Sequence, residues 1–135
     1  MDDKILNFIN KMHLLSLAVI DEENLPHCAS SFYAFDEQNL ALLVAGDSKT
    51  KHIKALDKNN TVAGTIVLDT KIVGKIEGLQ FIAKMSKATK SQREIYFKKY
   101  FYALAMDPQI WSIELRWVKF TSNTLGFGKK LIWNK

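Results

Sequence analysis

One cysteine, Cys28, stands in 135 residues, so no disulfide can form within the chain. It lies in an apolar strand pattern and reads as a small core residue, since a reactive thiol needs an electropositive, partly exposed setting. The three histidines, His13, His27 and His52, are scattered and show no zinc-ligand spacing, which argues against a structural metal. No run of about 18 apolar residues is present, so no membrane span is expected. Met1-Asp-Asp-Lys lacks both the basic start and the apolar segment of a secretory signal, which makes the cytoplasm the expected location. Arginine is also scarce. Of the 19 basic residues only Arg93 and Arg116 carry guanidinium, and they stand against 14 acidic ones in a chain of net charge +5. Readers of base edges lean on arginine, so nucleic acid is the least favoured partner, while an anionic small molecule suits the lysine excess equally well. There is no repeat, low-complexity segment, linker or Gly-x-Ser-x-Gly elbow.

What remains is a globular composition, 47% hydrophobic and 11% aromatic, expected to fold as one domain over 1–135. Asp2 can cap a helix over residues 3–13, whose Ile5, Phe8, Ile9 and Met12 share a face. Strands are expected at Leu14–Ile20, His27–Phe35 and Leu40–Ala45, with Asp21–Pro26 and Asp36–Asn39 as turns. A helix should follow from about Ser48 to residues 58–60, then strands over 61–68 and 71–85. Gly74 and Gly78 interrupt the second of these and read as a barrel corner or a ligand contact. Helical spacing returns over 89–105, and its Tyr96, Tyr100, Phe101 and Tyr102 are either core or a pocket wall. Ile110–Thr121 alternates, with Trp111, Ile113, Leu115, Trp117 and Lys119 on one side, and Gly126–Trp133 closes the chain as a last strand. Seven strands and three helices describe an α+β protein on a mostly antiparallel barrel.

The stretch richest in chemical signal is Ala45-Gly-Asp-Ser-Lys-Thr-Lys-His52, where a buried strand gives way to a helix start. Free first-turn N–H groups, the hydroxyls of Ser48 and Thr50, and the charges of Lys49 and Lys51 can together seat a phosphate. An ordinary solvated helix start capped by Asp47 or Ser48 accounts for the same residues. No side-chain nucleophile with a paired base is evident. Most carboxylates fall at turns, with Glu77 and Glu114 the exceptions, and Gly126-x-Gly128 is too short for a dinucleotide fingerprint. Such a chain points to a site where a cofactor carries the chemistry and the protein supplies binding, with Ala29–Tyr33 offering backbone groups and hydroxyls to a ring edge.

The order Leu14-x-x-Leu-Ala-Val-Ile, Leu25-Pro-His with Ser30-Ser-Phe-Tyr, and Leu42-Leu-Val-Ala followed by Ser48-Lys-Thr-Lys-His-Ile-Lys-Ala-Leu56 resembles the FMN-binding split barrel of the pyridoxamine 5′-phosphate oxidase superfamily. The closing Phe120-Thr-Ser-Asn-Thr-Leu-Gly-Phe-Gly-Lys-Lys-Leu-Ile-Trp133 is similar to the C-terminal signature of its YhbP-like branch. The resemblance implies an antiparallel split β-barrel of six to seven strands with about three flanking helices, usually a homodimer, with FMN in clefts between subunits. It places the flavin phosphate at Thr50 and Lys51, beside Ser48 and Lys49, with Ala45 near the phosphate end. The ring would lie against Ser31, Phe32 and Tyr33, and Asn123, Phe127 and Lys129 would complete the site, from the partner subunit in one arrangement. It implies a flavin-dependent oxidoreductase acting on an unknown small-molecule substrate. A non-enzymatic flavin or haem binder is the alternative, with His13, His27 or His52 on iron, and a deazaflavin is a further option. Ala29 and Thr50 stand where the type oxidases carry arginine, and the substrate signature of those oxidases is missing, so pyridoxamine phosphate oxidation itself is not expected.

Overall fold

The computed structural model describes residues 1–126 and 129–135. Helix α1 (Asp3–Lys11) begins where Asp2 Oδ1 accepts the Lys4 N–H at 2.8 Å, and it buries Ile5, Phe8 and Ile9 on the face their spacing defines. Strands β1 (Leu14–Ile20), β2 (Pro26–Phe32), β3 (Ala34–Asp36) and β4 (Ala41–Ala45) follow, then the short helix α2 (Lys51–Lys54). Strands β5 (Thr61–Val67) and β6 (Glu77–Lys87), helix α3 (Lys90–Lys99), and strands β7 (Ile110–Ser122) and β8 (Lys130–Asn134) complete the order.

Every strand pairing is antiparallel, in the order β2-β1-β5-β6-β7-β4-β3. One edge of β7 is shared: β4 pairs with its Ile110–Glu114 half and β8 with Trp117–Thr121. The sheet therefore forks along β7, and the fold is an α+β split barrel. Consecutive strands β2 and β3 sit at opposite ends of the ladder, so the sheet curls until β2 lies against β4. Inside, Leu15, Leu17, Ile66, Phe81 and Leu115 form the main core, closed at one opening by α1. On the outer side α3 lays Tyr96, Phe97 and Tyr100 over Ala34, Leu43 and Ile110. Covered on both faces, β4 is buried over four of its five residues, which is why it reads as an unbroken apolar run.

Several expectations shift. The strand expected over 27–35 is two strands, because Tyr33 and Ala34 are both buried and inward/outward alternation resets between them. That division makes eight strands where six to seven were expected. The helix expected from Ser48 to residue 58 or beyond is a four-residue turn followed by a 3₁₀ turn, Ala55–Asp57. The strand expected from residue 71 starts at Glu77, after a 3₁₀ turn at Val73–Lys75 that contains Gly74. Helix α3 stops at Lys99, because Tyr100 leaves the helical region (φ −122°, ψ 59°), and a 3₁₀ run, Phe101–Met106, takes over. The β6–β7 register slips beside Arg116, so Val118 and Phe120 take the core positions that uninterrupted alternation assigns to Trp117 and Lys119. Cys28 is exposed on β2 rather than in the core.

Candidate cofactor site

The chain leaves β4 on firm anchors: Gly46 N donates to Gln109 O at 3.0 Å, and Gly46 O accepts from Trp111 Nε1 at 2.9 Å. Asp47 then organises the turn. Its Oδ1 accepts the Lys49 N–H at 2.8 Å, and its carbonyl accepts both the Thr50 N–H at 3.0 Å and the Thr50 hydroxyl at 2.7 Å. Thr50 is the residue before α2 but makes no side-chain cap bond, so the N–H groups of Lys51, His52 and Ile53 have no acceptor within the helix. Four residues align few peptide dipoles, so an anion here would depend on those N–H groups, the hydroxyls and the lysines.

The lysines are less available than their number implies. Lys51 Nζ lies 3.4 Å from Asp21 Oδ2, and Asp21 is itself buried at the β1–β2 turn. The N–H groups of Leu25 and Glu23 both bond Asp21 Oδ1 at 2.9 Å. Leu25 does most to hold the carboxyl below its usual range, burial opposes it, and Lys51 assists. Asp21, Glu22 and Glu23 face Lys49, Lys51 and Lys54 across a cleft of about 210 Å³, so the charge is locally balanced. Among the described residues Lys49 and Lys54 make no ion pair.

On the ring side, Tyr33 N donates to His13 O at 3.0 Å, which fixes the alternation along β2. Ser31, two residues back, turns its backbone to β1, while Ser30 and Phe32 turn theirs to the free edge of the sheet. Phe32 is 53% exposed, stacked on His13 at 5.9 Å and edge-on to Tyr100 at 6.1 Å. The Tyr33 side chain is wholly buried and donates to Ile9 O at 2.6 Å. Its carbonyl accepts from the Tyr100 hydroxyl at 2.7 Å and from Lys99 Nζ at 3.1 Å. Burial raises the Tyr33 phenol, pushes that of Tyr100 up to about 12, and lowers the Lys99 ammonium. Tyr33 is thus a structural pin, and Phe32 is the ring that faces outward.

β2 lies against both β4 and α2, but Lys51 reaches Asp21 at the β1–β2 turn and His52 neighbours His27 near the start of β2, whereas Ser31 and Phe32 stand at its other end, Phe32 beside His13 and Tyr100. Asn123 and Lys129 are elsewhere. They follow the far end of β7 from Ile110, the register partner of Ala45. Asn123 Nδ2 there donates to Val73 O at 3.4 Å, and Lys129 N to Gly126 O at 3.1 Å. Phe127 lies outside the described residues. Sequence reasoning missed Asp21, visible only as a turn acid, and Ser30, whose free backbone depends on ladder phase. It also missed that His27 and His52 are neighbours: burial first, and the His27 charge second, hold the His52 imidazole below its ordinary range. Among the described residues no three His, Cys, Asp or Glu side chains converge as for a metal, and no helix is long and apolar enough to cross a membrane.

Comparison with solved structures agrees with this architecture. A heme binding protein from Mycobacterium smegmatis is similar over 94% of this chain and 55% of its own, with TM-score 0.78 at 12% identity. A FAD-binding protein from Mesorhizobium loti is similar over 87% of this chain and 90% of its own, with TM-score 0.71 at 12% identity. At such identities the likeness is one of fold. No family model matches the sequence. Full-length relatives do: the UPF0306 protein YhbP of Salmonella paratyphi A is 37% identical over 130 residues, 93% of this chain and 88% of its own. A UPF0306 protein of Campylobacter jejuni is 43% identical over 136 residues, 100% of this chain and 99% of its own. On that full-length match the chain belongs to the UPF0306 family.

Proposed function

We infer that residues 1–135 form one flavin-binding unit that works as a homodimer and exchanges electrons between a bound FMN and a small-molecule substrate. The observation that supports this reading is that an anion-competent turn at Ser48–Lys51 leads into α2, which packs against β2, the strand whose far end carries the exposed ring of Phe32. The donor set fits a phosphate: backbone N–H groups of the first α2 turn, the Ser48 hydroxyl, the Thr50 hydroxyl once released from Asp47 O, and Lys49, which makes no ion pair among the described residues. The backbone of Ser30 and Phe32 would meet the polar edge of the ring, and the Phe32 ring one of its faces. Bound flavin supplies hydride exchange at its N5; this chain holds, orients and shields it.

The dimer rests on the outer sheet face. The register sets Cys28, Ala18, Ala63, Ile82 and Trp117 in one row across five strands, small or apolar, with Cys28, Ala63 and Ile82 exposed. A second copy seated there is the route by which Asn123, Phe127 and Lys129 would approach the cofactor. Haem is the second reading, favoured by the neighbouring His27 and His52 and by the fold shared with a heme binding protein.

Titration of the purified chain with FMN, followed by flavin fluorescence and thermal stabilisation, tests the first reading. Lys51→Ala should weaken binding, whereas Asp21→Asn should tighten it a few-fold, since Asn keeps the oxygen that Glu23 and Leu25 bond while removing a charge beside the phosphate. Absence of FMN binding, or indifference to both substitutions, would refute this placement. A Soret band on haem addition that disappears with His27→Ala or His52→Ala would establish haem instead.

A further inference from the structure

The loop between β5 and β6 differs in chemistry from the other turns. The β1–β2 turn is built around Asp21, Glu22 and Glu23 and the β3–β4 turn around Glu37, Gln38 and Asn39, groups that water solvates. The β5–β6 loop instead carries Ile72, Val73 and Ile76, which are 54%, 85% and 46% exposed, beside Val67 at 57%. Apolar side chains gathered in water at one loop tip call for a partner.

The tip is fixed in shape. Leu68 N donates to Glu77 O at 3.0 Å across its base, Ile72 N to the Thr70 hydroxyl at 3.1 Å, and Lys75 N to Ile72 O at 2.9 Å. Behind it stands the 3₁₀ turn Asn123–Leu125, where Asn123 N donates to Ile76 O and Asn123 Nδ2 to Val73 O, both at 3.4 Å. These bonds tie the backbone and leave the apolar side chains exposed. A Cβ at Gly74 would meet nothing within 4 Å, so the tip projects into open space.

Charge identifies the occupant. Residues 67–76 and 121–130 hold Lys71, Lys75, Lys129 and Lys130 against one acid, Asp69. None of the four lysines makes an ion pair among the described residues, and Glu77, at the base, lies 3.5 Å from Lys11. A protein groove that received Ile72 and Val73 would have to take Lys71 and Lys75 out of water with them. At a lipid surface the two demands separate. The apolar side chains enter the acyl boundary, while the lysine stems lie along it and return their charges to the headgroup phosphates.

We propose that the β5–β6 tip seats this protein on an anionic membrane surface, with Val73 foremost, Ile72 and Ile76 beside it, and Lys71, Lys75 and Lys130 at the headgroups. The contact is reversible, since each lysine near such a surface contributes only about fivefold to partitioning. It does not depend on a bound flavin.

Co-sedimentation of the full chain with vesicles of phosphatidylglycerol and phosphatidylcholine in equal parts, and of phosphatidylcholine alone, tests the proposal. Retention by the mixed vesicles is expected, with little by the neutral ones and a steep fall from about 0.1 M to about 0.5 M salt. Val73→Asp, and Lys71→Gln combined with Lys75→Gln, should each weaken retention by about tenfold or more. The lysine pair is exposed and carries the test if Val73→Asp does not fold. Met106→Asp is the control: Met106 is also 85% exposed but precedes β7, whereas the tip is tied to the residue after its end, so this variant should bind as the parent does. The proposal is overturned by absent or charge-independent retention, by unchanged retention in the folded tip variants, or by an equal loss in Met106→Asp. Displacement by millimolar inorganic phosphate would overturn it in favour of a free-anion site. Conversion of a dimer to a monomer by Val73→Asp, read by sedimentation velocity, would assign the tip to a second copy instead.

Discussion

Replacing Tyr33 by Phe removes one oxygen and leaves the ring in place, so it isolates a single bond. That bond, 2.6 Å from the hydroxyl to Ile9 O, joins the strand break between β2 and β3 to the last turns of α1. Tyr33 and Ile9 are both fully buried, so no water can take over the abandoned carbonyl. Loss of a buried hydrogen bond with its acceptor left unpaired costs about 1.5–2 kcal/mol. At a urea m-value of about 1.5 kcal/mol/M, the unfolding midpoint should fall by about 1 M. Tyr100→Phe offers the contrast. It deletes a donor of similar length, 2.7 Å to Tyr33 O, but Lys99 Nζ stays on that carbonyl at 3.1 Å, so the cost should stay below about 1 kcal/mol. Urea titration followed by tryptophan fluorescence reads both. A Tyr33→Phe variant within 0.3 M of the parent, a figure on the order of the fitting error, or one less affected than Tyr100→Phe, would refute the assignment of Tyr33 as the pin.

At high pH the same cluster sets a limit. Burial raises Tyr100 to about 12 from an unfolded value of about 10, so the folded state holds the proton more tightly; stability is full below about pH 10 and falls as pH rises toward 12. Thermal midpoints across that range should drop steeply in the parent and less steeply in Tyr100→Phe; parallel curves would exclude Tyr100 as a cause. Gly64→Ala should cost about 3 kcal/mol and roughly 10 °C in melting temperature, because the new Cβ would stand 2.3 Å from the Phe81 ring and 2.4 Å from Ser16 O. Gly74→Ala, with nothing within 4 Å, should be neutral by the same calorimetry, and equal losses in the two would show that crowding is not what keeps Gly64.

Much of the architecture could be read from residue order alone. Alternation at Leu15, Leu17 and Val19 and the unbroken run of β4 announce a half-buried and a fully buried strand. What escaped was decided by tertiary contact. Tyr33 breaks its strand because its carbonyl is claimed by Lys99 and Tyr100, residues 66 and 67 positions away. The slip beside Arg116 moves Val118 and Phe120 inward, and no local pattern marks it. At the candidate site, the turn over Ser48–Lys51 was legible because hydroxyls and lysines at a strand end are a local signal. The carboxylates that balance those lysines come from the β1–β2 turn and meet them only in three dimensions. Cys28 misled, since an edge strand whose sequence is small and apolar looks like core until its second face is found uncovered.

The shared edge of β7 also governs how this chain can emerge from a ribosome. Among the described residues β4 pairs in the sheet with β3 and β7 alone, and β7 begins about 65 residues after β4 ends. Until those residues have left the exit tunnel, Leu42 and Val44 have no complete core to join, and an apolar strand waits with an open edge. At elongation rates of about 5–20 residues per second that wait lasts on the order of 3–13 seconds. Hairpin β1–β2 forms in microseconds, and β2 can pack against β4, but the β4 edge that pairs with β7 stays open. Barrel closure is therefore a late, high-contact-order event, and nascent chains stalled between β4 and β7 are the species a holdase would meet.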